Sequence, residues 1–314
     1  MLLVKLYRNN GSNVYSDAGS IFSPAIPSVS GESTMSAQWT DIDNDGFIDI
    51  LINTVSTSGS NNLLIYRHEA DHSYLLKATL DYWAWQGNSF DCGDYDNDGD
   101  RDILIANHGG SRLYQNQGNF NFREQTSVQL EGVGESSCRF IDYDNDGDLD
   151  IFLNGFQEIA YSGIGRLYKN NGDNIFTLDK SFTGLAFDGS SDWGDYNGDG
   201  YPDFLVTGKY DLASIYKNNG NGTFSFQNLI NLTGVSESTG RWGDVDNDGD
   251  LDIVLSGKNN NTNVTKIFIN NGNNTFSELA GITIDGVYQS SVDLFDYDND
   301  RDLDILISGN NGSS

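Results

Sequence analysis

The chain has 314 residues, 46 of them acidic against 17 basic, with three histidines and a formal net charge of -29. That balance excludes a nucleic-acid binder, which needs a basic surface to neutralise phosphates, and no run of 18 apolar residues offers a transmembrane helix. With 37% apolar residues, 12% aromatics, 36 Gly and 3 Pro, the composition fits a packed core of short strands joined by tight turns.

The first seven residues, MLLVKLY, are too short for a signal peptide and lead straight into a repeated element, so a targeting segment is expected outside this sequence. That element is a pair of aromatics eight residues apart: Tyr7 and Tyr15, Tyr66 and Tyr74, Tyr114 and Phe122, Tyr168 and Phe176, Tyr216 and Phe224, Phe268 and Phe276. Five of the six copies carry Asn-Gly or Gly-Asn between the aromatics. Such a turn between two short apolar runs predicts a β-hairpin with its aromatics on one side.

A second pattern begins at Asp41, in DIDNDGFID, and recurs about every 50 residues. Carboxylates stand at positions 1, 3, 5 and 9: Asp41, Asp43, Asp45 and Asp49; Asp94, Asp96, Asp98 and Asp102; Asp142, Asp144, Asp146 and Asp150; Asp195, Asp199 and Asp203, with Asn197 third; Asp244, Asp246, Asp248 and Asp252; Asp296, Asp298, Asp300 and Asp304. Glycine at position 6 suits a tight turn, and hard oxygens converging on that turn are what Ca²⁺ takes. Position 7 would add a backbone carbonyl, from Phe47, Asp100, Asp148, Tyr201, Asp250 and Asp302. An EF-hand would need Glu at position 12, which is instead Ile52, Ile105, Leu153, Val206, Leu255 and Ile307. Up to six Ca²⁺, one per repeat, are therefore expected. Of the acidic residues, 23 lie at these positions, so six ions would bring the charge to about -17. The sixth loop, with Arg301 in place of glycine, is expected to be the weakest.

Each loop lies between a first strand (SAQWT, SFDCG, SCRFI, SSDWG, TGRWG, SVDLF) and a strand too continuously apolar to be half-exposed, such as RDILIAN or LDIVLSG. With the hairpin, that makes four strands per repeat of about 50 residues. The expected fold is all-β: a six-bladed β-propeller of four-stranded antiparallel blades forming one domain, residues 1–314. The chain starts with a hairpin and ends after two strands, so pairing of the N- and C-terminal strands would close the ring. Length varies mainly between the second and third strands, on the face opposite the calcium loops, where ligand contacts are expected.

Within the first strands, Gln38, Asp91, Arg139, Asp192, Arg241 and Asp293 suggest ion pairs between blades, and Trp39, Phe140, Trp193 and Trp242 suggest packing between them. Ser36, Ser89, Ser137, Ser190, Thr239 and Ser291 read as structural hydroxyls. Cys92 and Cys138 read as small buried hydrophobes, with a disulfide as the alternative. Tyr82, Trp83 and Trp85, placed in a connection between blades, are either sugar platforms or packing.

GDYNGDGYPDFLVTG followed by SIYKNNGNGTF resembles the FG-GAP/VCBS repeat family, which includes the integrin α-subunit propeller and calcium-containing lectins. The similarity spans essentially the whole chain, although those members have seven blades against the six copies counted here. The resemblance implies a non-catalytic, extracellular or cell-surface recognition module, binding glycan or protein on the face away from the calcium loops, within a larger secreted or surface protein. The alternatives are the propeller of a carbohydrate-active enzyme such as a polysaccharide lyase, or a purely structural scaffold. His68, His72 and His108 show no spacing to a nucleophile that would favour catalysis.

Overall fold

A computed structural model of the protein describes residues 7–9, 15–17, 21–24, 35–54, 60–83, 88–296 and 300–312. Among these residues the chain is all-β, and no helix is long and apolar enough to cross a membrane. It divides into two compact units, Met1–Gly134 and Glu135–Ser314.

In the first unit, β1 (Tyr7–Asn9) and β2 (Tyr15–Asp17) form an antiparallel hairpin with Asn9 opposite Tyr15. β3 (Phe22–Ser23), β4 (Met35–Thr40), β5 (Asp49–Thr54), β6 (Ser60–His68) and β7 (Tyr74–Trp83) make one sheet in the order β3-β7-β6-β5-β4. The parallel addition of β3 to β7 was not legible in the sequence; Phe22 secures it by packing edge-on against Tyr66, ring centroids 5.1 Å apart. β8 (Ser89–Gly93), β9 (Asp102–Ala106), β10 (Arg112–Asn116) and β11 (Phe122–Glu124) form a four-stranded antiparallel sheet in sequence order.

The second unit repeats that plan three times. Its sheets are β12 (Gly134–Ile141), β13 (Asp150–Gln157), β14 (Ser162–Asn170) and β15 (Phe176–Thr183); β16 (Ser191–Gly194), β17 (Asp203–Gly208), β18 (Leu212–Asn218) and β19 (Phe224–Phe226); and β20 (Ser236–Gly243), β21 (Asp252–Asn259), β22 (Thr262–Asn270) and β23 (Phe276–Glu278). β24 (Tyr288–Phe295) and β25 (Asp304–Asn310) form a two-stranded sheet.

The second strand of each full sheet is buried from end to end in β5, β9 and β17, and over its first six residues in β13 and β21. Their apolar side chains join clusters that span adjacent repeats within a unit, such as Leu51 with Ile103 and Leu205 with Ile253, each fully buried one contributing roughly 1.5–3 kcal/mol. Trp193 packs on Phe152 of the preceding repeat at 5.1 Å, and Trp242 stacks on Tyr196 at 5.6 Å and 4°. Hydroxyls join the same seams: Ser137 Oγ accepts from Ser191 N–H at 3.2 Å, and Ser190 Oγ accepts from Gly240 N–H at 2.8 Å.

Several expectations change here. Trp39 is 54% exposed and meets Tyr74 edge-on. Of the proposed ion-pair set, Arg241 and Asp192 approach to 3.9 Å, and Asp192 Oδ2 also accepts Trp242 N–H at 2.9 Å. Tyr82 belongs to β7 and not to a connection: it is buried and its hydroxyl donates to Asn53 Oδ1. Trp83 ends that strand, and Trp85 lies outside the described residues. Cys92 and Cys138 are both buried.

Candidate metal centres

All six acidic loops share one backbone scaffold. The position-1 carboxylate accepts N–H from positions 5 and 6, as in Asp94 from Asp98 and Gly99, both at 3.0 Å. The same pair of bonds holds at Asp41, Asp142, Asp195, Asp244 and Asp296. Position 5 then accepts N–H from position 7, at 2.8 to 3.2 Å: Asp45 from Phe47, Asp98 from Asp100, Asp146 from Asp148, Asp199 from Tyr201, Asp248 from Asp250 and Asp300 from Asp302. These bonds curl the loop and force positive φ at position 6, where Gly99 has φ +97°. In the sixth loop Arg301 takes that conformation, at φ +81°.

The curl brings Asp41, Asp43 and Asp45 together, and likewise Asp94, Asp96 and Asp102; Asp142, Asp144 and Asp146; and Asp244, Asp246 and Asp248, with one oxygen of each lying within 4.8 Å of the others in its group. The fourth loop has an amide at position 3, and Asn197 Nδ2 donates to Asp203 Oδ2 at 2.7 Å. Asp298 of the sixth lies outside the described residues.

Position 9 is more enclosed than a simple ligand role predicts. Asp49, Asp102, Asp150, Asp203 and Asp252 are fully buried, while Asp304 is half-buried. In the first, second, third and fifth loops one oxygen accepts N–H from position 2, such as Tyr95 to Asp102 at 3.0 Å. The other accepts N–H from the hairpin, such as Asn116 to Asp102 at 2.8 Å. Burial pushes these carboxyls up, to about 6 at Asp49, about 8 at Asp102 and about 7 at Asp150 and Asp203, against the opposing pull of the N–H bonds.

The donor set is oxygen only, which suits a hard divalent cation. A further observation points the same way: Oδ1 of Asp43, Asp96 and Asp144, the position-3 residues of three loops, is buried without a hydrogen-bond partner. A buried, unpartnered carboxylate oxygen is costly, and a cation would satisfy it. The residues therefore fit such an ion.

Two sets of residues at the loops escaped the sequence reading. The first is an asparagine two residues after the hairpin aromatic. Asn218 Nδ2 donates to Tyr143 O of the preceding repeat at 2.7 Å, Asn270 Nδ2 to Tyr196 O at 2.7 Å and Asn116 Nδ2 to Ile42 O at 3.1 Å. Their Oδ1 atoms accept N–H from the turn glycines Gly220, Gly272 and Gly118. The recurring Asn in RNN, QNQ, KNN and INN was the available signal.

The second set is the residue just after the first hairpin aromatic. Arg67 meets Asp43 at 2.9 Å and also Asp45. Gln115 donates to Asp96 at 2.6 Å. Lys169 meets Asp144 and, at 2.9 Å, Asp146, whose carboxyl it holds below the usual range. Lys217 meets Asp199 at 2.9 Å. Ile269 occupies this place in the fifth repeat.

At the other end of the second strands, the turns to the third strands carry exposed aromatics. Tyr161, between β13 and β14, is 83% exposed, and Tyr210, between β17 and β18, is 75% exposed. Phe156 and Phe187 join them in a continuous row, with successive ring centroids 5.5, 5.0 and 6.0 Å apart. Polar groups border the row. Lys209 lies over Phe187 at 5.2 Å; Glu135 has a buried Oε2 without a partner; Asp188 donates its N–H to Glu135 O at 3.2 Å. Burial raises both carboxyls.

The FG-GAP-like repeat family matches residues 94–153, 195–255 and 244–307, more than half of the chain. No curated protein matches. Among solved structures, a lectin from Agrocybe aegerita, described as specifically recognising non-reducing terminal N-acetylglucosamine, is similar with TM-score 0.60 at 19% identity over 87% of this chain and 72% of the lectin chain. At that identity the likeness concerns the fold.

Proposed function

This chain belongs to the FG-GAP-like repeat family, and from that premise we propose that it is a calcium-stabilised, non-catalytic module that binds carbohydrate outside the cell. The observation that carries the recognition reading is the row Tyr161, Phe156, Phe187 and Tyr210 with its border of Glu135, Asp188 and Lys209. Sugars present apolar C–H faces and a rim of hydroxyls, so exposed rings beside half-buried carboxylates match their chemistry. A fold shared with a lectin supports the same reading.

In this proposal the acidic loops hold Ca²⁺ at one end of each sheet, and ligand binds at the turns of the opposite end. The position-1, -3, -5 and -9 side chains are the ligands, with the position-7 carbonyls. Carboxylates committed to metal are not available as general acids or bases, which favours binding over catalysis. Loops of this kind take calcium at roughly 10⁻⁴–10⁻³ M, a level found outside cells. The two incomplete sheets complement each other: β24 and β25 are the first two strands of a repeat, and β1 and β2 the last two. Joining them would give a sixth four-stranded blade, a closed six-bladed propeller and a single domain from residue 1 to 314.

A glycan array that includes terminal N-acetylglucosamine, probed in calcium with the wild type, Tyr161→Ala and Tyr210→Ala, tests the recognition reading. Wild-type binding that each substitution weakens, by roughly tenfold for a lost stacking ring, is the expected result. No glycan bound above background, or variants that bind as the wild type does, would overturn it.

A further inference from the structure

We propose that Arg67, Lys169 and Lys217 are tethered counter-cations that compete with calcium for their own loops, so that the loops beginning at Asp94 and Asp244 fill first. This rests on the calcium reading above and goes beyond it, because it divides five of the six similar motifs into functional classes.

The decisive position is one residue after the hairpin aromatic, where the side chain reaches across to the loop. In the first loop Arg67 Nε lies 2.9 Å from Asp43 Oδ2 and a second guanidinium nitrogen meets Asp45 Oδ2. In the third, Lys169 Nζ bridges Asp144 Oδ2 and Asp146 Oδ2. In the fourth, Lys217 Nζ lies 2.9 Å from Asp199 Oδ2 and 3.4 Å from Asn197 Oδ1. Each cation thus sits between positions 3 and 5, whose side chains would also hold a calcium ion. Two cations cannot share that space, so the metal must first displace the side chain.

The second and fifth loops are built differently. In the second, the equivalent residue is the neutral Gln115, held in place by Gln125 Nε2 donating to its Oε1 at 3.0 Å. In the fifth it is Ile269, and among the described residues no cation pairs with Asp244, Asp246 or Asp248. Calcium affinity rises with the number of ligand charges. The second and fifth loops offer four carboxylates with no tethered cation. The first and third offer four less one, and the fourth offers three less one, because Asn197 replaces a carboxylate.

The counter-cations do not complete the loops they occupy. Asp43 and Asp144 are paired through Oδ2 while Oδ1 stays buried and unpartnered. A half-satisfied carboxylate leaves the site able to accept a metal once the side chain withdraws into solvent. Half-exposed ion pairs are weak, so the competition is graded: these loops fill at higher calcium and stay neutralised when calcium is low.

Isothermal titration with calcium, beside equilibrium dialysis to count bound ions, tests this on the full chain. The proteins are wild type, the Lys169→Gln variant, the Arg67→Gln/Lys169→Gln/Lys217→Gln triple variant and Ile269→Lys, each checked for native circular dichroism first. Glutamine copies the side chain already present at position 115. The expected wild-type isotherm has a tight class and a weaker class. The triple variant should tighten the weaker class roughly tenfold, the scale of two half-exposed ion pairs, Lys169→Gln should tighten one ion of it, and Ile269→Lys should remove one ion from the tight class. A single affinity class in the wild type, or an unchanged isotherm in the glutamine variants, would overturn the inference and leave calcium binding standing. No calcium taken up by any of the proteins would overturn both.

Discussion

Substituting Asn218 by alanine isolates what the buried amides contribute to the stacking of repeats. Asn218 is 1% exposed, and its Nδ2 donates to Tyr143 O at 2.7 Å, 75 residues away, while its Oδ1 accepts Gly220 N–H at 3.1 Å. The longer contact to Pro202 O, at 3.4 Å, adds little. Alanine leaves a buried carbonyl and a part-buried N–H without these partners, at about 1–3 kcal/mol each with the N–H at the low end, so a loss of about 2–4 kcal/mol is expected. At roughly 2–4 °C per kcal/mol for a chain of this size, Tm should fall by about 5–15 °C in calcium. Asn219→Ala is the matched control, because Asn219 is exposed and bonds only within its own turn, to Thr223 and Ser225; it should change Tm by no more than about 2 °C. Thermal melts followed by circular dichroism provide the comparison. If Asn218→Ala melts with Asn219→Ala, the amides do not hold neighbouring repeats together and the reasoning fails.

Gly189→Ala should cost about 1–3 kcal/mol by denaturant titration, because a Cβ there would lie 2.2 Å from Thr207 O and 2.7 Å from Gly208 Cα, both backbone atoms; wild-type stability would refute the packing. Arg301→Gly should raise stability by about 0.5–1 kcal/mol in the same assay, since it relieves a left-handed side-chain conformation while adding unfolded-state freedom; a loss would contradict this. In metal-stripped protein, the folded-state carboxyls of Asp102 near 8, Asp150 and Asp203 near 7 and Asp49 near 6 stand above their ordinary value of 3.8. The fold then holds protons that the unfolded chain releases, so the contribution of these four groups to stability is greatest below pH 4 and falls as pH rises from about 4 to 8. Melts of the stripped protein should give a higher Tm at pH 5 than at pH 8, and a flat or rising profile would contradict the burial of these groups.

The repeat makes most of the architecture readable in the sequence. Two motifs in fixed register gave the strand order first strand, acidic loop, buried strand, hairpin, and the pairings β8 to β11, β12 to β15, β16 to β19 and β20 to β23 follow it. Continuous apolarity identified the buried strand because a strand covered on both faces has no polar side to show. What escaped depends on contacts between repeats. An asparagine in NNG looks like a turn residue, and only the stacking of one repeat on the next places its amide against a carbonyl more than 70 residues away. Lys169 and Lys217 look like solvated charges, and only the hairpin register brings them over the acidic loops. Trp39 shares its motif position with Trp193 and Trp242 but remains exposed, a difference that the shared motif does not carry.

The central claim is that divalent ions in the acidic loops hold this chain folded. The most direct measurement is the melting temperature of calcium-loaded and chelated protein, with bound calcium counted in the same samples. Two sites saturated at about 100-fold above Kd would contribute about 5 kcal/mol, so chelation should lower Tm by roughly 10–20 °C, with loss of the counted ions. Identical melting curves, or a loaded sample that carries no calcium, would contradict the account.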